Sequence, residues 1–260
     1  MTLITNEIHM LSGLSRTVLV FAADRRLTKL DGSYGDTRQK LFRIPHLNAG
    51  ISYFGLAYVY PARRQQYMSE WLRAFITKSS AIRSLRDFAF ELRNELERVI
   101  PSEVLGKHAS GFHVCGYDNQ GFPEFWYLSN IGGMSDFQYT NIKRRYADPT
   151  EDFLNRDAKN LGWNGKDPES VENKGWVYRN GDIRAHAVAF ELLDQVLLGM
   201  LSFSDFRKLE KPEDLARWVR FKLKFVAQFY KEYGKKQIIG TPIDAFSLTN
   251  KMSRIAAGSN

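Results

Sequence analysis

Three residues near the start of the chain have types and spacings that could do chemistry. Thr2 offers a hydroxyl. Methionine before so small a residue is normally trimmed in the cytosol, which would leave Thr2 a free α-amine as well. A hydroxyl and an amine on one residue can act as nucleophile and base together. Asp24 closes the apolar run 17–23, and Lys40 opens the run 41–44 sixteen residues later. A carboxylate at the end of a buried strand is costly unless a cation or several donors meet it. Lys40 is the candidate cation, because segment 25–39 can return the chain beside the strand it left. A lysine held there would lower the pKa of a neighbouring α-amine from its usual value of roughly 7.7–8, increasing its free-base fraction near neutral pH.

The elements that must position these residues follow from hydrophobic period and turn punctuation. Residues 3–10 alternate, 12–15 carry turn chemistry and 17–23 are β-branched and apolar, which predicts a hairpin. Two more strands, 40–44 and 49–54, flank Pro45-His46-Leu47-Asn48. Pro61 marks a helix start, and Tyr67, Trp71, Leu72 and Phe75 keep helical spacing to about residue 77. A second helix covers 85–100 and ends at Pro101. Strands return at 111–117 and 124–128, joined by Asp118-Asn119-Gln120-Gly121. Residues 144–180 hold no period and read as an irregular excursion with a short helix near 152–159. Asn180-Gly181-Asp182 caps a helix to 201, Pro212-Glu213-Asp214 opens another over 215–233, and 237–248 is a closing strand. Clustered strands and clustered helices, without βαβ alternation, predict packed layers rather than a doubly wound parallel sheet.

Composition sets the class. With 260 residues, 43% hydrophobic and 13% aromatic, the chain can bury a substantial core and reads as one domain over 1–260. Its single cysteine, Cys115, excludes an internal disulfide and fits a reducing compartment. Neither a secretory leader nor a membrane-length apolar stretch is present, so a cytoplasmic location is expected. The histidines at 9, 46, 108, 113 and 186 lack metal-ligand spacing, and neither metal nor cofactor is expected. His113 lies in an apolar strand and reads as a satisfied core residue; Cys115 shares its face without making a nucleophile pair. The charge of +8 comes from 37 basic residues dispersed among 29 acids, a solvated basic surface rather than a nucleic-acid module.

The runs FAADRRLT (21–28), QKLFRI (39–44) and NAGISYFGLA (48–57) resemble the N-terminal region of proteasome β-subunits and their bacterial relatives, members of the N-terminal-nucleophile hydrolase superfamily. In that family an Asp closes the second strand, an Arg lies two residues on and a Lys sixteen residues on; Asp24, Arg26 and Lys40 reproduce this. Segment 239–244 is similar to the family's last-strand turn. The resemblance implies a four-layer αββα sandwich of two antiparallel sheets covered by helix pairs. It implies Thr2 as nucleophile with Asp24 and Lys40, Arg26 in support, and an oxyanion held by backbone N–H groups at Phe54 and Gly55. It further implies a peptide or small amide as substrate, cleaved through an acyl-enzyme, and a homo-oligomeric ring or related assembly, any ATPase partner being unidentified. Two departures stand out. About six extra residues lie between Thr2 and Asp24, which requires a longer turn at 11–16. The family's accessory Asp-x-x-Ser falls on 236–239, with no Gly-Ser-Gly equivalent. The competing expectation is a catalytically inactive assembly or interaction subunit of the same fold, which retention of Met1 would favour.

Overall fold

Residues 18–23 are apolar at every position because both faces of their strand are covered. In the computed structural model, which describes residues 2–28, 33–182, 184–205, 209 and 211–250 (186–188 as backbone), Val18, Val20 and Ala22 point to one core while Leu19, Phe21 and Ala23 point to another. The main strands are β1 (Leu3–Leu14), β2 (Arg16–Asp24), β3 (Leu41–Ile44), β4 (Ala49–Phe54), β5 (Gly111–Tyr117), β6 (Pro123–Ser129), β7 (Thr150–Glu151), β8 (Lys174–Gly181) and β9 (Ile243–Thr249). The main helices are α1 (Met68–Lys78), α2 (Leu85–Val99), α3 (Glu191–Leu201) and α4 (Pro212–Tyr233). One sheet runs β8-β1-β2-β9 and the other β7-β6-β5-β4-β3, with every neighbouring pair antiparallel.

Three cores stack these layers. Between the sheets, Ile4, Ile8, Leu19 and Phe21 meet Phe54, Cys115 and Phe125. Helices α1 and α2 place Leu72, Phe75, Phe88 and Leu92 on Ile51 and Val114 of the second sheet. Helix α4 places Leu215, Val219, Leu223 and Val226 on the outer face of the first. Each such side chain contributes about 1.5–3 kcal/mol on full burial. The order helix, sheet, sheet, helix is the expected αββα sandwich. Helix α3 is the exception in its layer, with none of its 11 residues buried. No helix of the described residues is long and apolar enough to cross a membrane.

The β1–β2 register answers the question of the extra residues. Ile4 pairs with Ala23, and the ladder runs to Ser12 opposite Arg16 with a bulge after Met10 and a turn through Gly13 at φ +58°. The added length sits at the far end of the hairpin, so Thr2 still arrives beside Asp24.

Four expectations about elements need correction. Residues 61–63 form a separate 3₁₀ turn, because Ala62 and Arg63 have φ of +50° and +62°, which a right-handed helix cannot propagate; α1 begins at Met68. Within 144–180 the short helix is found as Phe153–Asp157 and Ala158–Asn160, yet Lys174–Gly181 is a regular edge strand paired along β1. Its partly exposed faces give it no alternating pattern to read. The chain from 185 to 190 coils more widely before α3 begins. The last strand is confined to Ile243–Thr249. A hairpin at Ile131–Ser135 and Gln138–Ile142, turning through Asp136 and Phe137 at positive φ, was not anticipated.

Candidate active site

Asp24 is the last residue of β2 and is fully buried. Its carboxylate accepts the Leu3 N–H at 2.8 Å on one oxygen and the Arg26 N–H at 3.2 Å on the other. The chain then folds Arg26–Thr28 against Tyr34–Thr37, and this small hairpin returns it so that Lys40 stands immediately before β3. Lys40 Nζ, itself buried, lies 3.3 and 3.4 Å from the two Asp24 oxygens, 2.5 Å from the Arg26 carbonyl and 2.7 Å from Thr2 Oγ1. The structure therefore brings Lys40 into contact with both Thr2 and Asp24. Arg26 joins them through its backbone, while its guanidinium lies 5.1 Å over the Tyr34 ring.

The electrostatics follow from burial. Desolvation pushes the Lys40 ammonium below the usual lysine range and the Arg26 charge adds to this, with Asp24 opposing. Desolvation likewise pushes the Asp24 carboxyl up, against the Lys40 charge and the Leu3 N–H. A lysine ammonium has three N–H donors. Arg26 O, the Asp24 carboxylate and Thr2 Oγ1 take all three. If Nζ gives up a proton, its lone pair faces the Thr2 hydroxyl. The same contact can hence hold negative charge on Oγ1 or exchange a proton with it.

Thr2 lies in the wall of a cleft of about 540 Å³ whose lining includes Phe54, Gly55, Leu56, Tyr139 and Gly181. Phe54 and Gly55, the residues expected to supply oxyanion donors, thus share the cleft with Thr2. Gly55 has φ +92°, and a Cβ there would stand 2.1 Å from the Ala109 carbonyl, so no side chain fits. Gly181 is the corresponding necessity on the other side. At φ +104° it lets β8 pass so close to Thr2 that a Cβ would lie 1.7 Å from the Thr2 carbonyl oxygen.

Sequence reading missed this second wall. Asn180-Gly181-Asp182 reads as a helix cap, and Asp182 does accept the Arg184 N–H at 3.1 Å. Its own N–H, however, donates to the Thr2 carbonyl at 2.8 Å, fixing the Thr2 backbone. The Asp182 carboxylate bonds Arg184 and Tyr230. Tyr139, from the unanticipated hairpin, accepts the Gly181 N–H at 2.8 Å and sets its ring at a tilt against Phe54, the centroids 5.6 Å apart. Of the two accessory positions, Ile239 is packed in the core under α4 and Lys236 is exposed. Only the Asn-Gly-Asp triplet itself could have signalled the wall, and it signals a cap equally well.

His113 is a core residue, as read. Its ring nitrogens lie 2.7 Å from Asn6 Oδ1 and 2.6 Å from Asn180 Oδ1, and burial lowers its pKa to about 4. A neutral ring donates from only one nitrogen. Asn6 Nδ2 has no partner, so a turned Asn6 amide that donates to Nδ1 satisfies both groups. The buried Cys115 thiol is pushed well above its usual range by desolvation and is unreactive.

Among solved structures, the chain is similar to Anbu, an ancestral β-subunit from Yersinia bercovieri, with 12% identity over 94% of this chain and 81% of that one and a TM-score of 0.43. It is also similar to eukaryotic HslV from Trypanosoma brucei, with 15% identity over 94% of this chain and 98% of that one and a TM-score of 0.41. No protein-family pattern and no curated protein sequence matches the chain.

Proposed function

We propose that the chain is a proteasome-like N-terminal-threonine amidohydrolase, with Thr2 as nucleophile. The observation that carries this reading is the 2.7 Å approach of Lys40 Nζ to Thr2 Oγ1, beside buried Asp24 and in the wall of a cleft. In the proposed reaction Thr2 Oγ1 adds to the carbonyl carbon of an amide or peptide bond while its proton passes to the free α-amine. Backbone N–H groups at Phe54 and Gly55 hold the carbonyl oxygen as it becomes negative. The C–N bond then breaks, the α-ammonium gives its proton to the leaving nitrogen, and the acyl group remains on Thr2 as an ester. Water, deprotonated by the same amine, adds to the ester carbonyl; the acid leaves and Oγ1 recovers its proton. Lys40, oriented by Asp24, supplies positive field at Oγ1 and at the amine. Arg26 supports the pair through its carbonyl and N–H.

The reading requires Thr2 to carry a free amine in the mature protein. Intact mass of natively expressed protein, followed by an electrophile that needs both groups of an N-terminal threonine, tests it. Loss of one methionine and a single adduct on Thr2 is the expected result; a retained methionine with no adduct would end the proposal. One observation favours the alternative, a non-catalytic assembly subunit of the same fold: the acid nearest in sequence to the second wall, Asp182, is engaged with Arg184 and Tyr230. That alternative predicts a blocked Thr2 in an intact oligomer.

A further inference from the structure

A phenol has one proton to donate and oxygen lone pairs with which to accept. Tyr139, partly buried on the hairpin 131–142, accepts the Gly181 N–H at 2.8 Å and an Asn180 side-chain N–H at 3.3 Å on the same oxygen. Both donors belong to β8. The Asn180 amide is itself oriented from behind. With the turned Asn6 amide donating to Nδ1, the neutral His113 ring donates from Nε2 to Asn180 Oδ1 at 2.6 Å, which leaves Asn180 Nδ2 for Tyr139. A polar chain of four residues, Asn6, His113, Asn180 and Tyr139, thus ends in an oxygen that receives two donors. Among the described residues no acceptor is placed to take the Tyr139 proton. Burial pushes the phenol above its usual range, against the Gly181 N–H, so the proton is present at neutral pH.

Tyr139 shares the lining of the Thr2 cleft with Phe54, Gly55 and Gly181. We propose that Tyr139 is a substrate-binding residue whose O–H donates to a carbonyl oxygen of the substrate other than the one under attack. This rests on the reading of Thr2 as nucleophile. Desolvation is the first reason. A ligand that fills the cleft displaces water from the phenol, and a donor left without an acceptor there costs free energy, so the ligand that binds well brings one. Position is the second. Tyr139 Oη is bonded to Gly181, on the wall that passes against the Thr2 carbonyl, whereas the attacked oxygen is assigned to the N–H groups at Phe54 and Gly55. The phenol proton is left for a second oxygen. Chemistry is the third, since an uncharged donor beside Phe54, Leu56 and Val104 suits an uncharged acceptor. An acylamino acid amide or a peptide has the second carbonyl that this requires, and a simple acyl amide lacks it.

The test uses a tripeptidyl epoxyketone, whose ketone and epoxide react with the hydroxyl and amine of an N-terminal threonine, and a series in which each of its other carbonyls in turn is replaced by CH2. One member of the series should react with the wild type about tenfold more slowly than the parent compound at low concentration. Tyr139→Phe keeps the ring against Phe54; it should slow the parent by the same factor and slow that member no further. The loss should lie in the concentration needed for half-maximal rate, with the maximal rate within about twofold of wild type. A hydroxyl that served only as the acceptor for Gly181 would slow every member alike when removed. A uniform loss, or none, therefore overturns the proposal and leaves the Thr2 reading in place. Absence of any adduct between the parent compound and the wild type overturns both.

Discussion

Two lysines of this protein are buried to the same degree, 1% exposed, and differ in everything else. Lys222, on α4, sits 2.9 Å from Glu7 of β1 and 2.8 Å from Asp194 of α3, with Arg179 of β8 also on Asp194 at 3.4 Å. Burial pushes Glu7 up, but the His9 hydrogen bond and the Lys222 charge outweigh it and hold Glu7 at about 2. Lys40 faces one carboxylate at 3.3 Å, and its shorter contacts are a carbonyl and a hydroxyl. The first lysine staples a helix layer to a sheet. The second keeps its closest side-chain contact for the Thr2 hydroxyl. Under the proposed function, what separates the structural clamp from the reactive site is the number of carboxylates around the cation, two against one.

The largest expected effect comes from removing what the clamp lacks. Thr2→Ala should abolish the adduct and lower amide hydrolysis by about 10⁴-fold or more, with the melting temperature nearly unchanged, because Oγ1 bonds only Lys40 among the described residues. Next, Lys222→Met should cost about 3–5 kcal/mol in denaturant unfolding, since Glu7 and Asp194 lose the buried cation they share and keep only His9 and Arg179, while the Thr2 chemistry survives. Lys40→Met should reverse the pattern. Asp24 keeps two backbone donors, so the stability loss should be about 1–3 kcal/mol, but the adduct rate should fall by about 10²–10⁴-fold. Equal stability losses and equal rates in the two variants would erase the distinction.

A pH series sharpens it. Glu7 has a folded pKa of about 2 against an ordinary value of 4.5. A depressed carboxylate stabilises the fold above its unfolded pKa and loses that contribution as pH falls through the folded value. Stability should therefore decline by ~3 kcal/mol between those two pH values. Glu7→Gln should flatten this limb in acid unfolding monitored by circular dichroism; an unchanged limb would assign the decline to other carboxylates. The smallest effect belongs to Arg26→Ala. Because Arg26 bonds Asp24 and Lys40 with backbone atoms, the stability loss should be about 0.5–1 kcal/mol for its ring contact with Tyr34, and loss of its charge beside Lys40 should leave turnover within a few-fold of wild type.

The amino-acid sequence by itself determined the strand that ends in Asp24, the return that delivers Lys40, both helix pairs apart from where α1 and α3 begin, and hence the layer order. Period, turn residues and short spacings are local properties, and each of these features is local. Tertiary structure alone decided the second wall. Gly181 pairs with Leu3 although the two are far apart along the chain, and nothing in either neighbourhood states that pairing. The partly exposed β8 has no alternation because its sheet position, at an edge, does not demand one. Helix α3 makes the same point from outside: its sequence specifies an apolar-rich helix, but only the packed chain reveals that none of its residues becomes fully buried while Asp194 turns inward to Lys222.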